Sequence, residues 1–379
     1  MIICRMTLPF TFTNKLSFNC SGPGYNSPVL IRVDATKEVA LGHLRRCISL
    51  ACKFKEKGVN VLFLTASDDF AERFLGKSGF NFISVDSAVN SGNDCDFALK
   101  TAERIDAKII VIDSYEIDEI YRKRLMNSGL FVISIDDIAD RYIPSHLIIN
   151  GNLNAENLRY ANAGKVSMCL GIRYLILGPD FWNPGRADDT DNFDNVLITM
   201  GGIDHYDLTS KILSVLDKFD FDFDVTAIIG PYYDNLDSIK MQAGRMKKKV
   251  DLVDSPPSLF PYMRKCSMAF SAGGQTLYEL AALGRPTIGI TVWENQAGNV
   301  SELSRMGAII GITYKEGNGF SVMLEKSTRR LIYEKTERQS LSSISSSLVD
   351  GKGAERACKA IFESYKKWNS KDCRTRIYD

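Results

Sequence analysis

Short apolar runs alternate with longer segments of helical periodicity along most of this chain. In the first half, the apolar runs predict strands at 29–34, 60–65, 82–85, 108–112 and 130–135. Helices are predicted between them, at 44–57, 69–77, 94–105 and 117–126. Strands rich in β-branched residues and separated by ~10–15 residues of helix indicate a parallel, doubly wound sheet. The first half is therefore predicted to be a Rossmann-like α/β domain.

The alternation stops near the middle of the chain and then restarts. An apolar run at 173–177 predicts one more strand, and the Gly-, Pro- and Asp-rich residues 179–194 are typical of a linker. Further strands are predicted at 195–200, 223–229, 250–253, 268–271, 287–292 and 308–312. We therefore predict an N-terminal extension at 1–27, a first domain at 28–178, and a second domain at 195–379 that includes the C-terminal helices.

Composition and charge narrow the class of protein. A length of 379 residues fits two domains, and a net charge of +1 argues against a partner such as nucleic acid or a membrane surface. No window approaches ~20 uninterrupted apolar residues, so no membrane span is predicted. The nine cysteines are scattered without a CxxC pair, which favours a reduced, cytoplasmic protein. The chain has only three histidines, namely His43, His146 and His205. These provide few ligands for a zinc site, and no metal is predicted.

The most informative segment lies in the second half, where a glycine pair leads into a helix. Gly273 and Gly274 follow a predicted strand, and without side chains they let the backbone turn sharply close to a ligand. Gln275 and Thr276 open the next helix, whose N-terminal N–H groups and dipole suit a diphosphate. Glu279 lies one turn further and is expected to reach two ribose hydroxyls. This pattern predicts a bound nucleotide, with a nucleotide-sugar as the favoured ligand.

Two more segments of the second half end predicted strands. Gly201 and Gly202 form a tight loop that continues to Asp204, and these three residues are expected to bind the substrate. The glycine turn is equally well explained as structural. Asn295 and Gln296 follow another strand, and their amides are suited to phosphate or sugar hydroxyls. The alternative for Asn295 is that it caps a helix. Ligands of open parallel sheets bind at these carboxyl ends.

The first half offers a candidate general base. Arg32 and Asp34 end the first strand, and Gly42 and His43 begin the first helix. Arg32, Asp34 and Gly42 are expected to bind the substrate. A helix N-terminus disfavours the imidazolium and helps to keep His43 neutral and basic. A neutral histidine in a cleft is a suitable general base, although His43 could instead cap the helix or contact the sheet.

Acidic residues and a tyrosine follow two other strands of the first half. Asp113 and Tyr115 come after one strand, and Asp136 and Asp137 after the next. Either pair of positions could orient His43 or bind sugar hydroxyls, and each aspartate could also be a helix cap. His146 and His205 are secondary candidates, His205 because it lies beside the turn at Gly201.

An ordered set of these motifs resembles a known family. It comprises Arg32-Val-Asp34, Gly42-His-Leu-Arg-Arg-Cys47, Ile112-Asp-Ser-Tyr115, Ile135-Asp-Asp137, Gly201-Gly-Ile-Asp204, Ala272-Gly-Gly-Gln-Thr-Leu-Tyr-Glu279 and Asn295-Gln296. The set is similar to that of the UDP-2,4-diacetamido-2,4,6-trideoxy-β-L-altropyranose hydrolases of pseudaminic acid biosynthesis and of related spore-coat polysaccharide proteins. The resemblance covers about residues 29–312. The extension at 1–27 and the C-terminal residues depart from the pattern and leave the identity of the sugar open.

This resemblance implies a GT-B architecture, in which two Rossmann-like domains face each other across a cleft. It implies that the second half binds UDP, with Glu279 on the ribose and Gly273 and Gly274 near the diphosphate. His43 would take a proton from the water that attacks the anomeric carbon, so that UDP leaves with inversion and without a metal or other cofactor. The substrates would be a UDP-sugar and water, and the product a free sugar for nonulosonic-acid or surface polysaccharide synthesis. The protein would be a monomer or weak dimer.

Three alternatives stay open at the level of sequence. The first is a glycosyltransferase of the same fold that uses a hydroxyl acceptor instead of water, because fold does not separate the two reactions. The second is a non-catalytic protein that binds a nucleotide-sugar. The third is a UDP-sugar 2-epimerase, which would need further acids in the first-half site.

Overall fold

The chain folds into two compact α/β units, each built on a parallel sheet. The structure is a computed structural model that describes residues 5–6, 25, 27–34, 42–185 and 193–375. The predicted extension at 1–27 lies mostly outside these residues, and the predicted linker at 179–194 lies partly outside them. None of the helices in the described part of the chain combines the length and apolar character needed to cross a bilayer.

The sheet of the first unit is parallel, and its eight strands in the described residues run in the order β1-β4-β3-β2-β5-β6-β7-β8. The strands are β1 (Arg5–Met6), β2 (Val29–Val33), β3 (Val61–Ala66), β4 (Asn81–Val85), β5 (Ile109–Asp113), β6 (Phe131–Ile135), β7 (Leu147–Asn150) and β8 (Ser167–Leu170). The helices between them are α1 (Gly42–Glu56), α2 (Asp69–Ser78), α3 (Gly92–Arg104) and α4 (Glu119–Asn127). Strands β2, β5 and β6 are buried throughout, as expected for a sheet covered on both faces.

Two features of the first unit differ from the sequence prediction. Strands β7 and β8 were not expected, because each is short and stands in a segment rich in Asn and Gly. The strand predicted at 173–177 is wrong, since Ile172–Tyr174 is a 3₁₀ turn and the next residues pair with no strand. Its apolar residues are buried nonetheless, and Gly151 and Gly353 touch the Leu175 backbone so closely that neither position has room for a Cβ. Burial of a connecting segment therefore produced the apolar pattern of a strand.

The second unit holds a six-stranded parallel sheet in the order β11-β10-β9-β12-β13-β14. Its strands are β9 (Asn195–Thr199), β10 (Asp224–Ile229), β11 (Val250–Asp254), β12 (Met268–Ala272), β13 (Thr287–Thr291) and β14 (Ile310–Thr313). Its helices are α5 (Leu208–Leu216), α6 (Leu236–Ala243), α7 (Phe260–Lys265), α8 (Gln275–Ala282), α9 (Glu294–Arg305), α10 (Asn318–Tyr333) and α11 (Lys335–Leu348). Each predicted strand of this half is present, with ends that differ by one or two residues.

The last helix, α12 (Gly353–Thr375), belongs to the first unit although it follows the second in sequence. The two units comprise residues 1–179 with 352–379, and residues 180–351. On α12, the ring of Phe362 lies 5.5 Å from that of Phe54 on α1, and the ring of Tyr365 lies 5.6 Å from that of Phe131 on β6. The predicted second domain at 195–379 is therefore corrected at its C-terminal end, because these aromatic contacts hold the final helix against the first sheet.

In both sheets, successive strands are first added on one side of a central strand and then on its other side. In the first unit this change of side lies between β2 and β5, and in the second it lies between β9 and β12. Ligands of open α/β sheets bind outside the carboxyl ends of the strands at such switch points. The segments that follow β2, β5, β9 and β12 are therefore the places to look for a site in each unit.

Candidate functional site

The site of the first unit is centred on a histidine from the helix that follows one strand of the switch point and on an aspartate at the end of the other strand. His43 lies in the first turn of α1, after β2, and Asp113 is the last residue of β5. His43 Nδ1 is 2.6 Å from Asp113 Oδ1, and both side chains are buried. The two groups are in close contact, although Nδ1 is not aligned for a linear hydrogen bond. Sequence analysis left open whether an aspartate orients His43, and the structure places Asp113 in that position.

Arg46 is the residue with the most contacts in this site among those that sequence reasoning missed, and Asn152 is another. Its Nε and Nη2 donate to the two carboxylate oxygens of Asp113 at 2.6 Å each, and its Nη1 donates to Asp137 Oδ1 at 2.8 Å. Burial alone would raise the pKa of the Asp113 carboxyl, but the charges of Arg46 and then of His43 hold it well below its usual range. Arg46 stands three residues after His43 on α1, and this spacing places both on one helix face. That spacing was the available signal in the sequence.

Tyr115 and Asp137 complete the first site. The Tyr115 hydroxyl donates to Asp137 Oδ2 at 2.7 Å, and its ring meets the His43 ring edge-on at a centroid distance of 4.6 Å. Asn152, which follows the unexpected strand β7, also donates to Asp137 Oδ1, at 3.1 Å. Arg46 lowers the pKa of Asp137 against the opposing effect of burial. Three segments of the sheet edge thus hold one connected set of polar side chains.

Arg32 and Asp34 take different positions in this unit. Arg32, expected above to bind substrate, is fully buried, and its guanidinium pairs with Asp34 and, at 3.2 Å, with Asp94 of α3. It therefore supports Asp34 and is closed to a ligand. Asp34 follows β2, and its second oxygen, Oδ2, has no hydrogen-bond partner among the described residues. Gly42 begins α1, and a Cβ there would meet nothing within 4 Å.

Two further candidates of the first unit have structural roles. Asp136 Oδ2 accepts from the Ala139 N–H and from the Tyr160 hydroxyl, at 2.9 Å each. Its pKa is raised by burial. His146 accepts a hydrogen bond from the Val132 N–H at 3.0 Å and stacks on Phe131. These contacts account for both residues without a ligand.

In the second unit, the two glycines before α8 have different tasks. A Cβ at Gly273 would lie 2.5 Å from a methyl carbon of Val300 and 2.9 Å from the Cβ of Gln296, so contact with α9 requires glycine there. A Cβ at Gly274 would meet nothing within 4 Å. Gly274 is the N-cap of α8 and provides no side-chain hydrogen bond to the helix. Gly274 therefore gives the first N–H groups of α8 no side-chain cap and leaves space at its own Cβ position, an arrangement that suits phosphate binding.

The first turns of α8 continue this candidate site. Gln275 and Thr276 are half-buried at the start of the helix, and Glu279 is buried one turn further. The Tyr278 hydroxyl donates to Asn299 Oδ1 at 2.9 Å and so ties α8 to α9. This bond fixes the direction of α8 behind the glycine turn.

The turn at Gly201 and Gly202 is next to the α8 site in sheet order, because β9 pairs with β12. Gly201 has a φ of 91°, a conformation that disfavours other residues. A Cβ at Gly230 would lie 2.4 Å from the Gly201 carbonyl oxygen. Glycine at position 230 is therefore needed for the Gly201 turn to pack against the end of β10. Asp204 accepts from the Leu208 and Thr209 N–H groups at 2.8 and 2.7 Å. Asp204, expected to bind substrate, thus caps α5.

Asn295 and Gln296 lie in the first turn of α9. The side-chain oxygen of Gln296 accepts from the Val292 N–H at 3.0 Å, so this residue closes the turn after β13. The N-cap of α9 is Trp293, and Asn295 is exposed, which removes the helix-cap explanation for Asn295. His205 is also exposed, with its ring 5.7 Å from that of Trp293. Within the described part of the chain, no three His, Cys, Asp or Glu side chains are grouped to hold a metal ion.

Comparison with known proteins agrees with this architecture. Residues 195–356 match the glycosyltransferase family 28 C-terminal domain. The chain is 12% identical to MurG of Acinetobacter baumannii, with a TM-score of 0.64 over 89% of this chain and 99% of that one. It is 10% identical to a putative UDP-N-acetylglucosamine 2-epimerase of Listeria monocytogenes, with a TM-score of 0.62 over 90% and 97% of the two chains. The chain has the GT-B fold, as the sequence predicted.

Curated relatives are distant. Spore coat polysaccharide biosynthesis protein SpsG of Bacillus subtilis is 23% identical over 88% of this chain and 98% of its own length. An uncharacterized protein of Methanocaldococcus jannaschii is 25% identical over 69% of this chain. The pseudaminic acid cytidylyltransferase and UDP-2,4-diacetamido-2,4,6-trideoxy-beta-L-altropyranose hydrolase of Helicobacter pylori is 24% identical over 74% of it. The matches span 54% and 47% of these last two proteins, about half of their length.

Proposed function

We propose that this protein hydrolyses a UDP-linked amino-deoxy sugar at the anomeric C–O bond with inversion. The observation that carries the proposal is the His43–Asp113 contact at the switch point of the first sheet, at 2.6 Å. A histidine held by a carboxylate on Nδ1 is oriented to act as a general base through its other ring nitrogen. The product sugar would serve nonulosonic-acid or surface polysaccharide synthesis, as the names of two relatives suggest.

The proposed reaction is a single displacement. His43 Nε2 takes a proton from water while the water oxygen forms a bond to the anomeric carbon. The bond between that carbon and the phosphate oxygen breaks, and UDP leaves with the electron pair. Attack from the face opposite the leaving group inverts the anomeric centre. Asp113 holds the ring and stabilises the imidazolium that forms.

The second unit is proposed to hold the UDP. The N-terminus of α8 suits the diphosphate, because its N-cap Gly274 has no side chain to occupy the first N–H groups or the space beside them. The turn at Gly201 and Gly202 is the neighbouring backbone segment, and Glu279 is proposed to bind the ribose hydroxyls. Stabilising negative charge on the departing phosphate lowers the barrier.

A glycosyltransferase that uses a UDP-sugar donor is the second candidate. It is favoured by the match of residues 195–356 to a glycosyltransferase domain and by the likeness to MurG. Both reactions begin with the same donor and the same base, so they differ only in the nucleophile. The experiment must therefore distinguish water from another acceptor.

The test is UDP release from a panel of UDP-amino-sugars in the absence of any acceptor. We expect wild-type protein to release UDP and the His43→Ala variant to be slower by on the order of 10²-fold or more. In ¹⁸O-labelled water the label should enter the sugar and not the UDP, and NMR should show the inverted anomer first. The variant should still bind UDP, because His43 lies outside the unit proposed to hold it.

Two results would redirect the assignment. Binding of UDP-sugars without release, followed by turnover when a hydroxyl acceptor is added, would replace hydrolysis by transfer. Binding with no turnover under either condition, and no effect of His43→Ala, would leave a non-catalytic nucleotide-sugar binding protein.

A further inference from the structure

The charge balance around His43 depends on one buried arginine that bridges two acids. Arg46 binds Asp113 through a two-point fork and Asp137 through its remaining nitrogen. The Arg46 side chain is only 14% exposed and that of Asp113 is fully buried. Buried charges of this kind interact strongly because water screens them little.

Asp113 Oδ1 is shared between the Arg46 guanidinium and the His43 ring. It lies 2.6 Å from Arg46 Nη2 and 2.6 Å from His43 Nδ1. If Arg46 were absent, the full negative charge of Asp113 would act on the imidazole. A carboxylate close to a histidine favours its protonated form, and a protonated histidine cannot act as a base.

We propose that Arg46 is a positioning residue that offsets the charge of Asp113 and Asp137 on the His43 ring, and so favours the neutral, basic form of that ring. The fork also fixes the plane of the Asp113 carboxylate against the ring. This inference rests on the proposed function for its meaning in catalysis, but the electrostatic effect on His43 can be measured without turnover.

The other groups around His43 do not replace Arg46. From β5 and the loop after it come Asp113 and Tyr115, and from the segment after β6 comes Asp137. On α1, the Cys47 thiol donates to Asp113 Oδ2 at 3.4 Å, and burial raises the pKa of that thiol well above its usual range. Asp34, which follows β2, also raises the pKa of this thiol, but its charge is paired with that of Arg32.

Arg32 is engaged with Asp34 and Asp94, whereas Arg46 is the cation that contacts Asp113 and Asp137. With His43 neutral, Arg46 partly offsets the negative charges of Asp113 and Asp137. Loss of Arg46 would leave both acids to act on the ring.

The experiment follows the protonation of histidine by NMR in labelled full-length protein. The chain has three histidines, so His43 can be assigned by substitution, and His146 and His205 serve as internal references. In Arg46→Met, we expect His43 to become protonated at a pH about one unit higher than in wild type. In Arg46→Lys, which keeps the charge and loses the fork, the change should be much smaller.

Arg45 provides the matched control. It is the neighbouring residue on α1, and its guanidinium lies over the Phe74 ring at 5.7 Å instead of against Asp113. Arg45→Met removes the same charge from the same helix, and His43 should protonate as in wild type. An equal change in Arg45→Met and Arg46→Met, or none in Arg46→Met, would overturn the proposal.

A second variant, Asp137→Asn, should change the pH of His43 protonation in the opposite direction. It tests the proposal even if Arg46→Met does not fold. Asp137→Asn removes one acid and leaves the Arg46–Asp113 fork, so His43 should be protonated at a lower pH than in wild type. A change to higher pH in this variant would contradict the proposal.

Where UDP release is measurable, each variant should also change the pH at which the rate falls on the acid side of the pH–rate profile. This change should equal the change in the pH at which NMR shows His43 becoming protonated. A loss of rate in Arg46→Met that is equal at every pH would indicate a merely structural role. Failure of hydrolysis with every donor would count against the proposed function alone, because the NMR result stands by itself.

Discussion

At the scale of single residues, the first site is a chain of charged contacts in which each member has a measurable effect. Asp113 receives two hydrogen bonds from Arg46 and lies against His43. Residue types and strand ends identified His43, Asp113, Tyr115 and Asp137 as candidates. The sequence did not identify Arg46, because an arginine on a helix face is most often solvated.

Replacing Asp113 by Asn should reduce stability as well as activity. The change leaves the buried Arg46 without its principal partner, and breaking a buried ion pair costs about 3–5 kcal/mol. Urea unfolding at pH 7 should show this loss, and UDP release should fall by on the order of 10²-fold. A variant with wild-type stability would contradict the importance of the pair.

The pH dependence of stability gives a second test of Asp113. Its pKa is lowered in the folded state, so the folded protein binds fewer protons than the unfolded chain below the ordinary aspartate pKa of about 3.9. The stabilisation is therefore fully present above that range and is lost as the pH falls through it towards the folded pKa.

The unfolding free energy measured between about pH 5 and 3 checks this sign. We expect the wild-type value to fall more steeply with decreasing pH than that of Asp113→Asn. The exposed Asp251 offers a control, because Asp251→Asn should keep the wild-type slope. Parallel curves for wild type and Asp113→Asn would argue against the lowered pKa.

At the scale of elements, the turn between β12 and α8 contains two glycines, Gly273 and Gly274, that have different roles. Both positions were assigned to phosphate binding from sequence. The structure shows that Gly273 is needed for contact with α9, since a Cβ would lie 2.5 Å from Val300, whereas Gly274 faces open space. Sequence could not separate them, because the neighbours that decide the matter come from a different helix.

The substitutions Gly273→Ala and Gly274→Ala form a matched pair. Gly273→Ala should destabilise the protein by about 1–3 kcal/mol through overpacking. Gly274→Ala should change stability by less than about 1 kcal/mol, since its backbone conformation suits alanine, but should weaken UDP binding by on the order of tenfold. Thermal unfolding and calorimetric titration with UDP measure the two effects. The opposite pattern would reject this assignment of the turn.

At the scale of the whole molecule, the chain crosses from the second unit back to the first. Helix α12 contributes Ala357, Cys358 and Ile361 to the buried residues, and its aromatic side chains contact α1 and β6. An amphipathic pattern shows that a helix has an apolar face but does not say which sheet covers it.

A pair of fragments tests this boundary. Residues 180–351 form one continuous unit and should unfold cooperatively as a soluble monomer. A fragment of residues 195–379 ends in α12, whose apolar face would lack the first sheet, so it should associate or bind a hydrophobic dye. Circular dichroism and size-exclusion chromatography compare them. A disordered 180–351 fragment beside a well-folded 195–379 fragment would refute the division.

The sequence by itself determined the fold class, the position of nearly every strand in the second unit, and which chemical groups stand at strand ends. These properties follow from local rules, namely the period of apolar residues and the turn chemistry of glycine. Only the tertiary structure decided strand order, which brings the segments after β2 and β5 together, and those after β9 and β12. It also decided that Arg46 bridges Asp113 and Asp137, that Asp204 is a helix cap, and that α12 joins the first unit. Such contacts join residues distant in sequence, and their free energy depends on burial and distance, which no local pattern encodes.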